Sequence, residues 1–292
     1  MTTCELISLL REKVGDIVVE DGVSLSKFTK YGTGGKAFAV VYPDSASTLR
    51  DTANALDGVI DYFVIGNGSN LLVSDKGYNG VIISTLKVNE ITFKSNYLLA
   101  ESGALISSVI REMQYNSFGG LEFATGIPAT VGGAVAMNAG CYNRSISDCV
   151  KYVVTNKGVY NKENCNFSYR SSRFLQGETI IKVCFECDVT DPDVLEEKLN
   201  QYRSFRKNPR GKNCGSVFKN DGYFAGKVID ECGLKGHRVG GAKISSEHAN
   251  FIVADQNATS TDIYNLIKSI KEKVLFKKGI TLLEELIYLG EF

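Results

Sequence analysis

Two periods of apolar spacing divide the chain into helices and strands. Near the start, Leu6, Leu10 and Val14 recur every fourth residue, which predicts a short amphipathic helix. A polar turn through Thr33-Gly34-Gly35 then leads into an apolar strand ending at Pro43. In 45–58, a serine cap, a face of Leu49, Ala53 and Leu56, and a stop at Gly58 predict a helix. The strand YFVIG follows, and a strand–helix–strand order of this kind points to α/β or α+β. VIIST, EITFK and YLLAES read as short strands between Asn and Gly punctuation. Residues 104–116 read as a helix with Leu105, Val109 and Met113 inward. Residues 149–174 give two or three strands with a turn at Asn156-Lys157-Gly158. Strict alternation at Ile181, Val183, Phe185, Cys187 and Val189 predicts another strand. A charged helix spans 191–208, with Asp191 as cap and Pro192 in its first turn. A shorter helix stops at Gly233, and a strand runs to Asp255. A long helix then buries Ile263, Ile267, Ile270 and Val274, and 281–290 closes the chain as a strand.

The stretch from Gly119 to Gly140 breaks both periods. Glycine and alanine crowd it, Glu122 is its only ionisable residue, and it would make a poor helix and a poor strand. So many small residues suit a tight crossing of core elements, or a wall lying flat against a large polar ligand such as a nucleotide cofactor. A second glycine loop, Gly66-Asn67-Gly68-Ser69-Asn70, shifts the balance toward the wall. Successive N–H groups in such a turn form an anion-binding concavity, and Ser69 and Asn70 add donors. A plain hairpin turn fits the same five residues equally well. The dinucleotide fingerprint is absent: Leu71 stands where the third glycine belongs, and a strand follows rather than a helix.

Charge and cysteine narrow the class. With 33 basic and 33 acidic residues the formal net charge is zero, so nothing draws the whole chain to nucleic acid. No apolar run is long enough to span a bilayer and the start has no signal-peptide plan, so a cytoplasmic protein without a membrane partner is expected. Eight cysteines scattered over 292 residues do not make a disulfide framework. The one CxxC, Cys184 to Cys187, lies on a predicted strand, where residues three apart face opposite sides. It is neither a redox pair nor half a zinc site, and no metal is expected.

Four polar groups carry candidate chemistry. Tyr169-Arg170-Ser171-Ser172-Arg173 is either a solvated loop or a guanidinium placed for a carboxylate or a developing negative charge. Arg203, Arg206 and Lys207 either answer the helix macrodipole or meet an anion such as a diphosphate. Ser216, after Gly215, is a turn former or a hydroxyl donor. Glu285, an acid in an apolar strand, protects an edge or acts as an acid or base beside a ligand.

The motifs, in this order, resemble one family. They are Thr33-Gly34-Gly35, VIGNGSNLLV from Val64, GLEFATGIPATVGGAVAMNAG from Gly120 and YRSSRF from Tyr169. GSVFKN from Gly215, GLKGHRVGGAKISSEHANFI from Gly233 and the strand at Glu285 complete the set. From about Ser26 to Gly290 the chain is similar to the UDP-N-acetylenolpyruvoylglucosamine reductases, flavoenzymes of peptidoglycan precursor synthesis. The resemblance implies an α+β protein. Residues 1–25 would be a helix and lead-in, and 26–200 an FAD-binding domain of the vanillyl-alcohol-oxidase (PCMH) type, with lobes at about 26–85 and 86–200. Residues 201–292 would form a smaller substrate-binding domain.

It further implies non-covalent FAD between the lobes. Gly66, Asn67, Gly68, Ser69 and Asn70 would hold the diphosphate, with Thr33 and Gly34 beside the cofactor. Gly126, Ile127, Pro128, Val131, Gly132, Gly133 and Ala134 would line the rest. NADPH would reduce the flavin and leave, and a UDP-sugar enolpyruvyl ether would enter the same space. Arg170 would stabilise the enolate, Ser216 would supply a proton, and Glu285 would share one with the carboxylate or enol oxygen. Tyr169, Arg203, Lys207, Lys219, Asn220 and His248 would contact substrate, and the protein would act as a monomer.

The chain departs from the common pattern at Asp221 and Glu284, where proline is usual. The second departure sets Glu284 beside Glu285 as the acid, and the spacing to Gly290 selects Glu285. The chain resembles the shorter subtype, which lacks a tyrosine-bearing substrate loop. Two other classes share part of the pattern: an oxidase that tethers its flavin through histidine or cysteine, and a nucleotide-sugar binder without catalysis.

Overall fold

The computed structural model describes residues 1–292 except Gln176 and Lys207. Its chain divides into two compact units, neither contiguous in sequence. One takes Met1–Asp21, Ala39–Asn67 and Gly80–Arg206; the other takes Gly22–Phe38, Gly68–Asn79 and Lys207–Phe292.

The first unit holds two large sheets and two short strand pairs, 140–141 with 144–145 and 118–119 with 188–189. Helix α1 (Thr3–Lys13), closed by a Thr2/Glu5 capping box, buries Leu6 and Leu10. It packs on α2 (Ala46–Leu56), which Ser45 caps and whose Leu49, Ala53 and Leu56 turn inward. Strands 18–21, 37–42, 78–84 and 62–65 lie side by side in that order, the last two parallel. The second sheet is antiparallel throughout, in the order 159–161, 150–155, 180–186, 97–101, 91–94. Its central strand, Ile180–Glu186, is covered on both faces, so Ile180, Ile181, Val183, Cys184 and Phe185 are all buried. The even members of that run thus belong to the core, which simple alternation does not predict.

Two expectations are corrected here. Helix α3 (Ile106–Tyr115) faces inward through Ile106, Val109, Ile110 and Met113, whereas Leu105 is its N-cap residue and 38% exposed. The inward face begins one residue later than expected. Within the glycine-alanine stretch, Val131–Ala136 forms a helix, α4, despite two glycines. Thr130 caps it, and burial of Val131, Ala134 and Val135 outweighs the poor propensity. Helix α5 (Pro192–Phe205) starts as expected at Asp191 and docks through Leu195 and Leu199.

The second unit gathers around two further helices, α6 (Ala225–Glu231) and α7 (Ser260–Lys278). A three-stranded antiparallel sheet, 238–239, 242–244 and 252–254, packs with them. Ile263, Ile267, Ile270 and Val274 of α7 share a core with Tyr31, Leu72 and Phe218. Asp75 ties an early segment to the start of α7: it accepts from the N–H groups of Ser260 (2.9 Å) and Thr261 (2.8 Å). The expected closing strand is short. Only Ile287–Leu289 pairs, parallel to Leu71–Val73, while Glu284 makes a single bridge to Phe218. Among the described residues no helix is long and apolar enough to cross a membrane.

Candidate active site

The glycine turn is shaped by neighbours that leave no room for side chains. A Cβ on Gly66 would fall on the Thr130 hydroxyl, and one on Gly68 (φ 57°) on the Phe28 carbonyl. Asn67 donates to the Pro128 carbonyl (2.6 Å), fixing the turn to the small-residue wall. Among the described residues, the backbone N–H groups of Asn67, Gly68, Ser69 and Asn70 donate to no protein acceptor. Four open donors in one tight turn suit a diphosphate. The turn therefore fits the cofactor its sequence implies. Nearby, Thr33 is buried and bonded to Ser260 (2.7 Å), and Gly34 (φ 125°) lies against Val73.

The wall is built in two layers. Val131, Gly132 and Ala134 are buried; the N–H groups of Val131 and Gly132 are taken by Ala104 and Ser102 carbonyls (both 2.8 Å). A Cβ on Gly132 would fall on the Ser102 hydroxyl. Gly126, Pro128 and Gly133 are exposed, with Ile127 half-buried, so the outer layer presents bare backbone at its two glycines and small apolar side chains between them.

Arg170 and Tyr169 sit in the first unit, on the tight return between Ser168 and Ser171. Arg170 has left-handed backbone (φ 54°), donates to the Gly140 carbonyl (2.8 Å) and lies over the Tyr169 ring at 5.0 Å. That backbone is unfavourable for any residue with a Cβ, and the turn closed by Ser171 N–H on the Ser168 carbonyl (3.2 Å) imposes it at this position. Arg206, weighed in the sequence as a helix-end charge or an anion contact, donates to the Thr125 carbonyl (2.5 Å) and to Cys141 Sγ (3.3 Å). Burial pushes the Cys141 thiol up, against the opposing pull of Arg206 and Arg170. Both guanidiniums therefore stand near one thiol on the wall.

Ser216 and Glu285 come together in the second unit. Glu285 N–H donates to the Val217 carbonyl (2.8 Å), and Asn70 Nδ2 donates to the Glu285 carbonyl (2.9 Å). The Cys214 thiol reaches the Leu71 carbonyl (3.6 Å). The serine loop, the acid and the end of the glycine turn are thus stitched side by side. Asn250 fixes the loop from behind: it bonds both the N–H (2.9 Å) and the carbonyl (2.8 Å) of Phe218, and its own carbonyl takes Val217 N–H (2.9 Å). The Ser216 hydroxyl is half-buried and has no protein partner among the described residues. Glu284 turns elsewhere, to Lys271 (2.6 Å), in a surface cleft with Tyr264 and Tyr288.

The remaining candidates are dispersed. Lys219 is half-buried, its N–H on the Leu283 carbonyl (2.8 Å). Asn220 Oδ1 accepts from Ala225 N–H (3.0 Å) at the start of α6, a capping task. His248 accepts from Asn250 N–H (3.2 Å) and meets the Phe251 ring edge-on, so it shapes its own turn. Arg203 is exposed and bonded to Asn200 (2.9 Å). Lys207 lies outside the described residues.

An open-donor glycine turn pinned to the small-residue wall, without a dinucleotide fingerprint, suits a nucleotide diphosphate, and the family matches make this an FAD-binding protein. The FAD binding domain family matches residues 37–159, and the family of UDP-N-acetylenolpyruvoylglucosamine reductase C-terminal domains matches 206–289. A UDP-N-acetylenolpyruvoylglucosamine reductase from Caldicellulosiruptor bescii is 40% identical over 92% of this chain and 90% of its own. One from Clostridium botulinum is 37% identical over 91% of each chain. The crystal structure of the Thermus caldophilus UDP-N-acetylenolpyruvylglucosamine reductase superposes with a TM-score of 0.83 at 32% identity, covering 94% of this chain and all of that one. The chain belongs to the UDP-N-acetylenolpyruvoylglucosamine reductase family.

Proposed function

We propose that this protein is an NADPH-dependent flavoenzyme that reduces the enolpyruvyl group of UDP-N-acetylglucosamine enolpyruvate to UDP-N-acetylmuramate. It does so as a cytoplasmic monomer of the shorter subtype, in peptidoglycan precursor synthesis. Residues 26–200 serve FAD and 201–292 serve the substrate. The observation that supports this reading is the bond from Glu285 N–H to the carbonyl of Val217, next to Ser216, with Asn70 of the glycine turn bonded to Glu285.

The chemistry FAD would supply when bound is hydride transfer, from NADPH to the methylene carbon of the enolpyruvyl group. The protein's own groups handle the charge and the proton. Hydride at the methylene carbon leaves an enolate conjugated with the carboxylate. Arg170, a planar cation of fixed charge, stabilises that developing charge and orients the carboxylate. Glu285, as an acid, shares a proton with the carboxylate or enol oxygen. The carbon alpha to the carboxylate then needs a proton, and the Ser216 hydroxyl gives it. A hydroxyl is a weak acid, so this step works because the enolate is strongly basic. The open N–H groups of Asn67 to Asn70 would hold the cofactor diphosphate, and the exposed residues of 126–134 would line the rest of its site.

The test separates the half-reactions. NADPH added without air should bleach the flavin of the wild-type protein, and the enolpyruvyl UDP-sugar should restore its colour. In Ser216→Ala, bleaching should persist while recovery slows by at least about a hundredfold. Loss of both steps together would make Ser216 a structural residue. A wild-type protein that binds no flavin would end the reading.

A further inference from the structure

Three aromatic rings cluster where the wall meets the end of α5. Tyr142 lies 5.3 Å from Tyr202 and 5.6 Å from Phe205, and the latter two are 6.4 Å apart, centroid to centroid. The cluster is not core: Tyr142 is 40% exposed and Phe205 51%. Leu195 and Leu199 already satisfy the buried stripe of α5, so Phe205 is not needed to dock the helix. Tyr142 and Asn143 are the two central residues of the tight hairpin that pairs Cys141 with Arg144, and their left-handed backbone (φ 55° and 58°) is what that turn requires. The turn sets the tyrosine against the two rings.

A cation borders the rings. Arg206, next to Phe205 in the chain, uses two donors on Thr125 and Cys141. Its other N–H groups meet no partner among the described residues. Arg144, also near Tyr202, is by contrast spent on Asp148 (3.1 Å). The rings are mutually tilted, by 39°, 53° and 87°, and so brace one another while leaving individual faces to a ligand. A braced ring face beside a guanidinium with donors to spare matches a nucleobase joined to a phosphate: the base stacks, and the phosphate meets the fork.

We propose that Tyr142, Tyr202 and Phe205 form a stacking platform for the base of a nucleotide whose phosphate is met by Arg206. This rests on the reductase reading, which supplies two such ligands, NADPH and the UDP-sugar. They share the chemistry of a base on a diphosphate.

The holoenzyme distinguishes them. In Phe205→Ala and Tyr202→Ala, the NADPH concentration that half-saturates flavin bleaching is measured, then the UDP-sugar concentration that half-saturates recovery. Loss of a stacking partner should raise one of them about tenfold. A rise in the first assigns the platform to adenine, and in the second to uracil. Both staying within twofold, in variants that keep their FAD, overturns the proposal. A second measurement needs no variant: alkylation of Cys141 in the wild-type holoenzyme, followed by mass spectrometry. NADP+ or UDP should slow it severalfold, and protection by neither overturns the platform. A wild-type flavin that NADPH never bleaches would instead fail the reductase reading, while nucleotide protection of Cys141 would still support the platform.

Discussion

At the scale of single residues, the adjacent acids Glu284 and Glu285 are separated by what their backbones and partners do. Glu284 forms a partly exposed ion pair with Lys271, and pairs of this kind contribute about 1 kcal/mol or less. Glu284→Gln should therefore lower stability slightly and leave recovery of the flavin by substrate nearly intact. Glu285→Gln should leave stability alone and slow that recovery by at least about a hundredfold. Stopped-flow rates and urea midpoints on the two variants decide between them; the reverse pattern would move the acid to Glu284. Tyr288, which burial and then the Glu284 carboxylate push up in pKa, stays a neutral phenol in either variant. Asn250 gives a different signature. It satisfies both backbone groups of Phe218 and is 4% exposed. Asn250→Ala would leave a buried donor and acceptor unmet, at a cost of about 2–4 kcal/mol, read as a lowered urea midpoint. Because Val217 hangs from the same residue, the step that depends on Ser216 should slow as well. Sequence reading could not weight Asn250 this way, since asparagines are common turn formers and only the fold shows both amide atoms engaged.

At the scale of elements, regular helices were legible because burial repeats along them. The long helix shows its stripe at Ile263, Ile267, Ile270 and Val274, and all four are buried. Strand Ile180–Glu186 was legible as a strand but not as a doubly covered one, because cover comes from elements distant in sequence. Helix α4 was illegible for the opposite reason: propensity argues against VGGAVA, and only tertiary packing reverses it. Its two glycines now separate packing from ligand contact. Gly132→Ala gains about 1 kcal/mol of helix propensity but drives a Cβ into buried Ser102, which costs about 1–3 kcal/mol. The clash wins, because the Ser102 carbonyl closes the same space at 3.2 Å, and the apoprotein should lose stability. Gly133 is exposed, and its Cβ would meet nothing closer than the Thr130 hydroxyl at 3.5 Å. Gly133→Ala should raise the stability of the apoprotein by about 0.5–1 kcal/mol. If the flavin lies on this face, the same change should weaken FAD binding at least about tenfold. Urea midpoints and FAD titrations on the apoproteins give both numbers, and unchanged FAD affinity would remove Gly133 from the cofactor wall.

At the scale of the whole molecule, the chain passes between its two compact units five times, at 21/22, 38/39, 67/68, 79/80 and 206/207. Such interleaving leaves no mark in composition: the segments 22–38 and 68–79 read locally as turns and strands like any others. Its consequence is physical. Tyr31 and Leu72 lie early in the chain, yet they share a core with Cys214, Phe218, Ile263 and Ile267. Asp75 and Thr33 bond Ser260 and Thr261, nearly two hundred residues or more downstream (|i−j| of 185 and 186 for Asp75, 227 for Thr33). A fragment ending at Arg206 would expose these apolar side chains and leave the carboxylate of Asp75 without its helix. Small domains unfold in one step because their contacts fail together, and interleaved segments extend that argument to this longer chain. The intact apoprotein should therefore show coincident urea transitions by far-UV circular dichroism and tyrosine fluorescence. Fragment 1–206 should show no cooperative transition and retain no FAD, although it contains the glycine turn and the entire wall. A fragment that folds cooperatively and turns yellow would mean that the early segments of the second unit do not depend on the C-terminal third for their structure.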